Sequence, residues 1–334
     1  MGGNALNKYG VTTERKSTGQ FLRLASIISN RIKTDFGFRS EIVKCYHTKE
    51  SHGDLDLLIQ IESNSNVNWK EYIKNAFNPN AINCNGGVYS FDYDNFQIDI
   101  IPIINSQWEV AKTYYSYDPL GNIQGKTFHK FNLSYGWNGL YYKFRNFDGR
   151  LVEDILISAD PRKIFEFVDY DYDRYLIGFD TLEEIFEFVL ESKYFDNEMF
   201  KFENLNHIDK KRNRKRGSYH VFLKYLENNN INRKFDFHKN KELYLPMINN
   251  FFPEANLMEK LKELELRDNK NKIISQKFNG DIVMSWLPNL KGKELGQAIS
   301  NFKYALSDEY DDFVLNASYM EIFNRFMEVY DEKG

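Results

Sequence analysis

Cysteine is nearly absent: Cys45 and Cys84 are the only two in 334 residues, and neither stands in a CxxC or Cys/His cluster. That excludes a disulfide framework and a structural zinc site, and the usage is that of a cytoplasmic protein. Long apolar runs are missing too. No stretch approaches the ~20 residues of a membrane helix, and the opening MGGNALNKYG has no apolar signal core, so neither export nor a membrane role is expected. Neither HExxH nor GxxxxGK[ST] occurs, which removes the zincin and P-loop readings. A strong charge of one sign is also lacking. The net charge is −4, so no overall field draws the chain to nucleic acid, although a local patch still can.

The chain does have core-forming residues, 42% hydrophobic against 28% charged, and the length for two domains. GQFLRLASIISNRIKTDFG (19–37) places Phe21, Leu24, Ile27, Ile28 and Ile32 at helical spacing and closes on Gly37. FRSEIVKCYHTK reads as a short strand with an exit loop, LDLLIQI as a buried strand, and VNWKEYIKNAF as a helix with Trp69, Tyr72, Ile73 and Phe77 on its apolar side. GGVYSFDYDNFQIDIIPI (86–103) reads as two strands around a turn at Tyr93 to Asn95. From Trp108 to Gly149 the pattern is a strand pair or an extended crossing, in which Lys130, Lys143 and Arg145 either line a nucleotide pocket or belong to a surface hairpin. Beyond it DPRKIFEFVDY, TLEEIFEFVLESKYF, SYHVFLKYLENN, LMEKLKELELRDNK and SYMEIFNRFMEVYDE all carry helical periodicity. The expected architecture is α+β: a small mixed-sheet head with flanking helices over residues 1–150, then a mainly helical region over 151–334.

The chemistry concentrates in SHGDLDLLIQI (51–61). Side chains alternate along a strand, so Asp54 and Asp56 point one way while Leu55 and Leu57 point the other. Two carboxylates on one face repel and require water or a cation between them. Asp99, in FQIDIIPI, can add a third from a neighbouring strand, and three converging carboxylates form a hard-oxygen site suited to Mg²⁺. Two such ions lower the pKa of an attacking hydroxyl and hold a transferring phosphate and its pyrophosphate. Upstream, Lys49, Ser51, His52 and Gly53 supply an ammonium, a hydroxyl and exposed amides for phosphate oxygens, Gly53 permitting close backbone approach. His52 is either part of that grip or an ordinary surface histidine.

KESHGDLDLLI and QIDIIPI resemble the DNA polymerase β-like nucleotidyltransferase superfamily, whose pattern is a Gly-Ser helix opening, a D-x-D strand and a third Asp on a later strand. The resemblance implies transfer of a nucleoside monophosphate from an NTP to a hydroxyl. It makes Asp54 and Asp56 metal ligands, and Asp99 a third ligand that assists deprotonation of the acceptor. It also implies two Mg²⁺ ions and an NTP co-substrate. One element departs: where the Gly-Ser pair is expected the chain has VKCYH (43–47), and the early pair Gly2 and Gly3 is far away in sequence unless the segment folds back. FNGDIVMSWLPNLKGKELGQAISNFKYAL (278–306) resembles the helical segment of tRNA nucleotidyltransferases and poly(A) polymerases, in a divergent phage or bacterial form. Asp281 can cap one helix there, and Leu295, Ile299 and Phe302 share a face. The family's base-selecting helix is not evident; Asp171, Asp173 and Arg174 are the nearest candidates.

One basic run, KKRNRKRGSY (210–219), offers Lys210, Lys211, Arg212, Arg214, Lys215 and Arg216 either to the phosphates of an RNA acceptor or to solvent. Beside it, Tyr219 and His220 either stack on an unpaired end or begin the next helix. The expected activity is Mg²⁺-dependent transfer of a nucleoside monophosphate to the 3′ hydroxyl of a tRNA-like RNA. The alternatives are a protein or small-molecule hydroxyl as acceptor, or a catalytically silent member of the fold.

Overall fold

The computed structural model describes residues 3–146 and 148–332. A short strand, β1 (Lys16–Ser17), leads directly into α1 (Thr18–Phe36). Ser17 and Gln20 form a reciprocal capping box at the start of this helix, and Gly37, at φ 73°, closes it with its N–H on the Lys33 carbonyl. Phe21, Leu24, Ala25, Ile28 and Ile32 are its buried stripe, whereas Ile27, expected on that stripe, is 38% exposed. There follow β2 (Ser40–Ile42), β3 (Ser51–His52), β4 (Asp54–Ile61), α2 (Trp69–Phe77), β5 (Ile82–Asn85), β6 (Val88–Tyr93) and β7 (Phe96–Ile104). Asp94 and Asn95 both take positive φ, the two-residue hairpin conformation whose twist matches the strands it joins.

The main sheet has the order β2-β4-β7-β6-β5, with β4 and β7 parallel and the other pairs antiparallel. Its two faces have different fates. Leu55, Leu57, Ile59, Ile98 and Ile100 point to one side and are sealed beneath α1 and α2 by Phe21, Ile28, Trp69 and Ile73. On the other side Leu58, Ile101 and Ile103 pack against Trp108 and Ala111 of α3 (Trp108–Tyr115). That helix covers only the later part of the strands. The positions preceding Leu58 and Ile101 on the same face are Asp54, Asp56 and Asp99, so the carboxylates occupy the end of the sheet beyond this apolar cluster.

α3 and α4 (Leu120–Lys130) occupy a stretch that the sequence pattern reads as extended. The buried side of α4 includes Gln124, Lys126 and Thr127 beside Leu120 and Ile123, and this defeats a hydrophobic period. The expected strand pair appears immediately after, as β8 (Leu133–Gly136) and β9 (Gly139–Arg145), joined by β10 (Leu151–Ser158) in the order β10-β9-β8.

From there the chain is mainly helical: α5 (Pro161–Phe167), α6 (Tyr172–Ile177), α7 (Leu182–Glu191), α8 (His207–Asn213), α9 (Gly217–Asn228), α10 (Leu245–Phe251), α11 (Leu257–Lys277), α12 (Gly280–Trp286), α13 (Gly292–Leu306), α14 (Tyr310–Asn316) and α15 (Tyr319–Asp331). Two compact units result, one of residues up to Lys143 with Asp154–Asn256, the other of Phe144–Glu153 with residues from Leu257 on. Residue 150, the expected point of division, lies within Phe144–Glu153, and Asp154–Asn256 belongs with the first unit. In the second unit Phe278, Val283, Phe302, Val314, Ile322 and Phe326 form the core, with Leu295 and Ile299 packed against it. Asn279, not Asp281, caps α12: its side chain accepts from the Ile282 N–H at 3.0 Å, and Asp281 already lies in the first turn.

Candidate active site

The parallel pairing of β4 with β7 sets Asp56 directly opposite Asp99 and Asp54 opposite Gln97, while the antiparallel pairing of β6 sets Ser90 opposite Asp99. Residues in register share a face, so the three carboxylates lie on one face of the sheet. Asp54 and Asp56 line a cleft of about 680 Å³ and an adjoining one of about 490 Å³. Asp99 lines neither. It is 9% exposed, and the Gln97 amide donates to both of its oxygens, at 2.9 and 3.1 Å. Burial, then the Asp54 charge, pushes its carboxyl up to about 7. Asp56 is held well above the carboxylate range by burial and by Asp54 and Asp99. Burial also raises Asp54, against the opposing effects of the Gly3 N–H and Lys49.

Among the described residues, no group of three or more His, Cys, Asp or Glu side chains is gathered closely enough to enclose a metal ion. The donor set nonetheless suits a hard divalent cation bound at an open edge. Asp54 and Asp56 are two oxygen donors lining one cleft, their mutual repulsion only partly offset by Lys49 and the Gly3 N–H, and a phosphate could complete the shell.

The loop before Asp54 divides. Lys49, Ser51 and His52 line the larger cleft, and Gly53 the smaller. The Ser51 hydroxyl accepts from Arg15 Nε at 3.2 Å, and Arg15 Nη2 also reaches the Ser51 carbonyl at 2.7 Å. His52 is 3% exposed, stacked on Phe21 with ring centres 4.0 Å apart, and its Nε2 lies 3.2 Å from Thr18 Oγ1. Because the Thr18 hydroxyl donates its one proton to the Lys49 carbonyl, it must accept from His52, which fixes an Nε2–H tautomer. Burial, Lys49 and Arg15 lower the imidazole pKa to about 4, so it is neutral at physiological pH. His52 thus holds the loop to α1. His52→Phe, which keeps the stack and loses the hydrogen bond, is expected to cost about 1 kcal/mol of stability and to leave activity within about tenfold. A loss as deep as that of an Asp56 variant would make the imidazole part of the chemistry.

Cations line the clefts as well, some of them in segments that the sequence reading did not connect with the carboxylates. Arg15 and Lys49 line both clefts, and from the basic run Arg212 and Arg216 line the smaller, beside Gly217 and Ser218 at the start of α9. Lys211, Arg214 and Lys215 are exposed, and Lys210 donates to the Glu203 carbonyl at 3.1 Å. The run is therefore shared between the cleft and solvent. Asp118 is a fourth carboxylate, lining both clefts and accepting from Ser218 Oγ at 2.7 Å, with Arg216 Nη2 3.9 Å away. Nothing local marks it, since YSYDPL reads as a turn. Its place follows from Tyr117, whose N–H bonds the Lys44 carbonyl at 2.8 Å.

Several expected residues lie elsewhere. Lys143 pairs with Asp154 at 3.1 Å, Arg145 Nη1 donates to the Gly149 carbonyl, and Lys130 sits over the Phe237 ring; none lines the cleft. Asp171 caps α6, Asp173 pairs with Arg162 at 2.6 Å, and Arg174 Nη1 donates to the Gly178 carbonyl. Tyr219 is fully buried in α9 with its hydroxyl on the Phe200 carbonyl, and His220 stacks on Phe202. In place of a Gly-Ser turn, Val43, Lys44, Cys45 and Tyr46 line the larger cleft, and the His47 and Thr48 N–H groups bond the Phe179 and Asp180 carbonyls. Gly2 lies outside the described residues, but the segment does fold back: the Gly3 N–H donates to Asp54 Oδ2 at 3.1 Å.

No family model and no curated protein matches the chain. Among solved structures it is similar to polymerase β of Leishmania infantum in a ternary P/T complex, at 12% identity and a TM-score of 0.34. That match covers 42% of this chain and 62% of the polymerase, less than two thirds of its length.

Proposed function

We propose that this chain is a divalent-metal-dependent nucleotidyltransferase that adds a nucleoside monophosphate from an NTP to the 3′ hydroxyl of an RNA, tRNA-like in kind. The observation that carries the reading is the placement of Asp54 and Asp56 in one cleft, with Asp99 in register behind Asp56 and four cationic side chains on the same cleft. Carboxylates alone would repel a triphosphate, and cations alone would not place a metal. Both together suit a metal–NTP complex.

In this reading Asp54 and Asp56 would hold the cation, with Asp99 fixing their charge and spacing from the next strand. A bound divalent cation would lower the pKa of the acceptor hydroxyl and neutralise charge building on the phosphates. Arg15, Lys49, Arg212 and Arg216 grip the β and γ phosphates, a task that VKCYH lacks the glycine and serine to perform. The acceptor oxygen bonds to the α phosphorus as the bond to the bridging pyrophosphate oxygen breaks, and the hydroxyl proton passes to a carboxylate or water. Residues 1–150 supply most of this head, and the helical half beyond them binds the acceptor. Lys211, Arg214 and Lys215 are the part of the basic run left for it.

Incubation with each α-labelled NTP, Mg²⁺ and pooled cellular RNA, beside Asp54→Ala and Asp56→Ala, tests the proposal. Label on RNA only with both carboxylates intact supports it. Label on protein or small molecules moves the acceptor to the alternative class, and no transfer to any acceptor ends the enzymatic reading.

A further inference from the structure

The segment before β1 is wound into the acidic site. Gly3 is buried with φ +83°, and a Cβ there would lie 2.3 Å from the Gly53 carbonyl oxygen, so only glycine fits. Its N–H donates to Asp54 Oδ2 at 3.1 Å, and its carbonyl accepts from Thr13 Oγ1 at 2.8 Å. Two residues on, the Ala5 N–H donates to Gln97 Oε1 at 2.9 Å, and Gln97 passes its own amide protons to Asp99. Leu6, 0% exposed, anchors the segment between these contacts and the loop that follows. Two of the three carboxylates are thus oriented, directly or through one amide, by a chain segment outside the D-x-D motif.

We infer that Gly3 is a positioning residue for metal binding: it fixes Asp54 through Oδ2, leaving Oδ1 as the oxygen free of that bond, while Ala5 sets Gln97 against Asp99. The inference rests on the reading that Asp54 ligates a divalent cation. A carboxylate free to rotate beside Asp56 would have to be ordered each time the cation bound. One already held by a backbone donor presents its free oxygen in place.

Mn²⁺ titration of the full chain without nucleotide, followed by electron paramagnetic resonance, tests it on four proteins: wild type, Gly3→Ala, Thr13→Val and Gly10→Ala. Thr13→Val removes only the hydroxyl that anchors Gly3 and decides the matter if Gly3→Ala does not fold. Gly10, also left-handed at φ +77° but with open space around it, controls for backbone strain alone. Mn²⁺ affinity is expected to fall about tenfold in Gly3→Ala, and less in Thr13→Val, the range typical of lost partners behind metal ligands. It should be unchanged in Gly10→Ala. Wild-type affinity in the folded Gly3→Ala or in Thr13→Val, or an equal loss in Gly10→Ala, would overturn the positioning role alone. Failure of the wild type to bind Mn²⁺ would overturn the metal reading and this inference with it.

Discussion

Replacing Asp56 by Asn is expected to lower nucleotidyl transfer about a thousandfold or more and, at the same time, to raise the melting temperature of the metal-free protein at pH 8. On the proposed reading, the activity term follows from removing a ligand whose cation would supply several kcal/mol of charge stabilisation in the transition state. The stability term follows from the neighbours: Asp56 is buried and stands in the field of both Asp54 and Asp99. An amide of the same shape removes that repulsion. The pH dependence has a definite sign. Asp99, pushed up to about 7, holds its proton in the folded chain at pH values where the unfolded chain has lost it. The contribution of Asp99 to metal-free stability is therefore greatest in acid and is lost as pH rises from about 4 through about 7, by a few kcal/mol on a scale of ~1.4 kcal/mol per pKa unit. Asp56, raised in the same sense by burial, Asp54 and Asp99, adds to that slope, so Asp56→Asn should remove its share, and added Mg²⁺ should restore wild-type stability mainly above pH 7. Thermal melts in chelator from pH 5 to pH 8 check both statements. A wild type that is more stable at pH 8 than at pH 5, and an Asn variant no different from it, would contradict the account of the carboxylates.

Changing Arg212 and Arg216 together to Ala is expected to weaken NTP binding by about 150-fold or more, since charge-assisted bonds to phosphate contribute ~1.5–3 kcal/mol each. Changing Lys211, Arg214 and Lys215 should leave NTP affinity within about twofold. It should instead weaken binding of an RNA acceptor and make that binding less sensitive to salt. The two sets are interleaved within six residues of one run, so bulk charge cannot account for a difference between them. Fluorescent-NTP titration beside RNA binding over a salt series reads both. If the two variants lose RNA binding equally and neither loses NTP, the run serves the acceptor alone and the cleft arginines have another purpose.

How much of this was legible beforehand depends on the distance over which each feature is determined. α1 could be read because Phe21, Leu24, Ile28 and Ile32 repeat at the helical period and Gly37 ends it. The β6–β7 hairpin could be read because Asp94 and Asn95 tolerate the left-handed turn. α4 could not, since Gln124, Lys126 and Thr127 lie on its buried side. Lys126, 5% exposed, is accommodated there by Asp209, 3.4 Å away and more than eighty positions along the chain.

The sequence by itself determined that Asp54 and Asp56 share a strand face, that Asp99 lies on a later strand, and that helices dominate the second half. Each follows from periodicity, which is a local property of the backbone. Only the tertiary structure decided that β4 and β7 pair in parallel with Asp56 opposite Asp99, and that Gly3 returns to Asp54. It alone brought Asp118 to the cleft and turned two of the basic run's arginines toward the carboxylates. Strand register and chain return are set by the burial of whole faces against α1, α2 and α3, an energy summed over residues far apart in sequence and invisible in any short window of it.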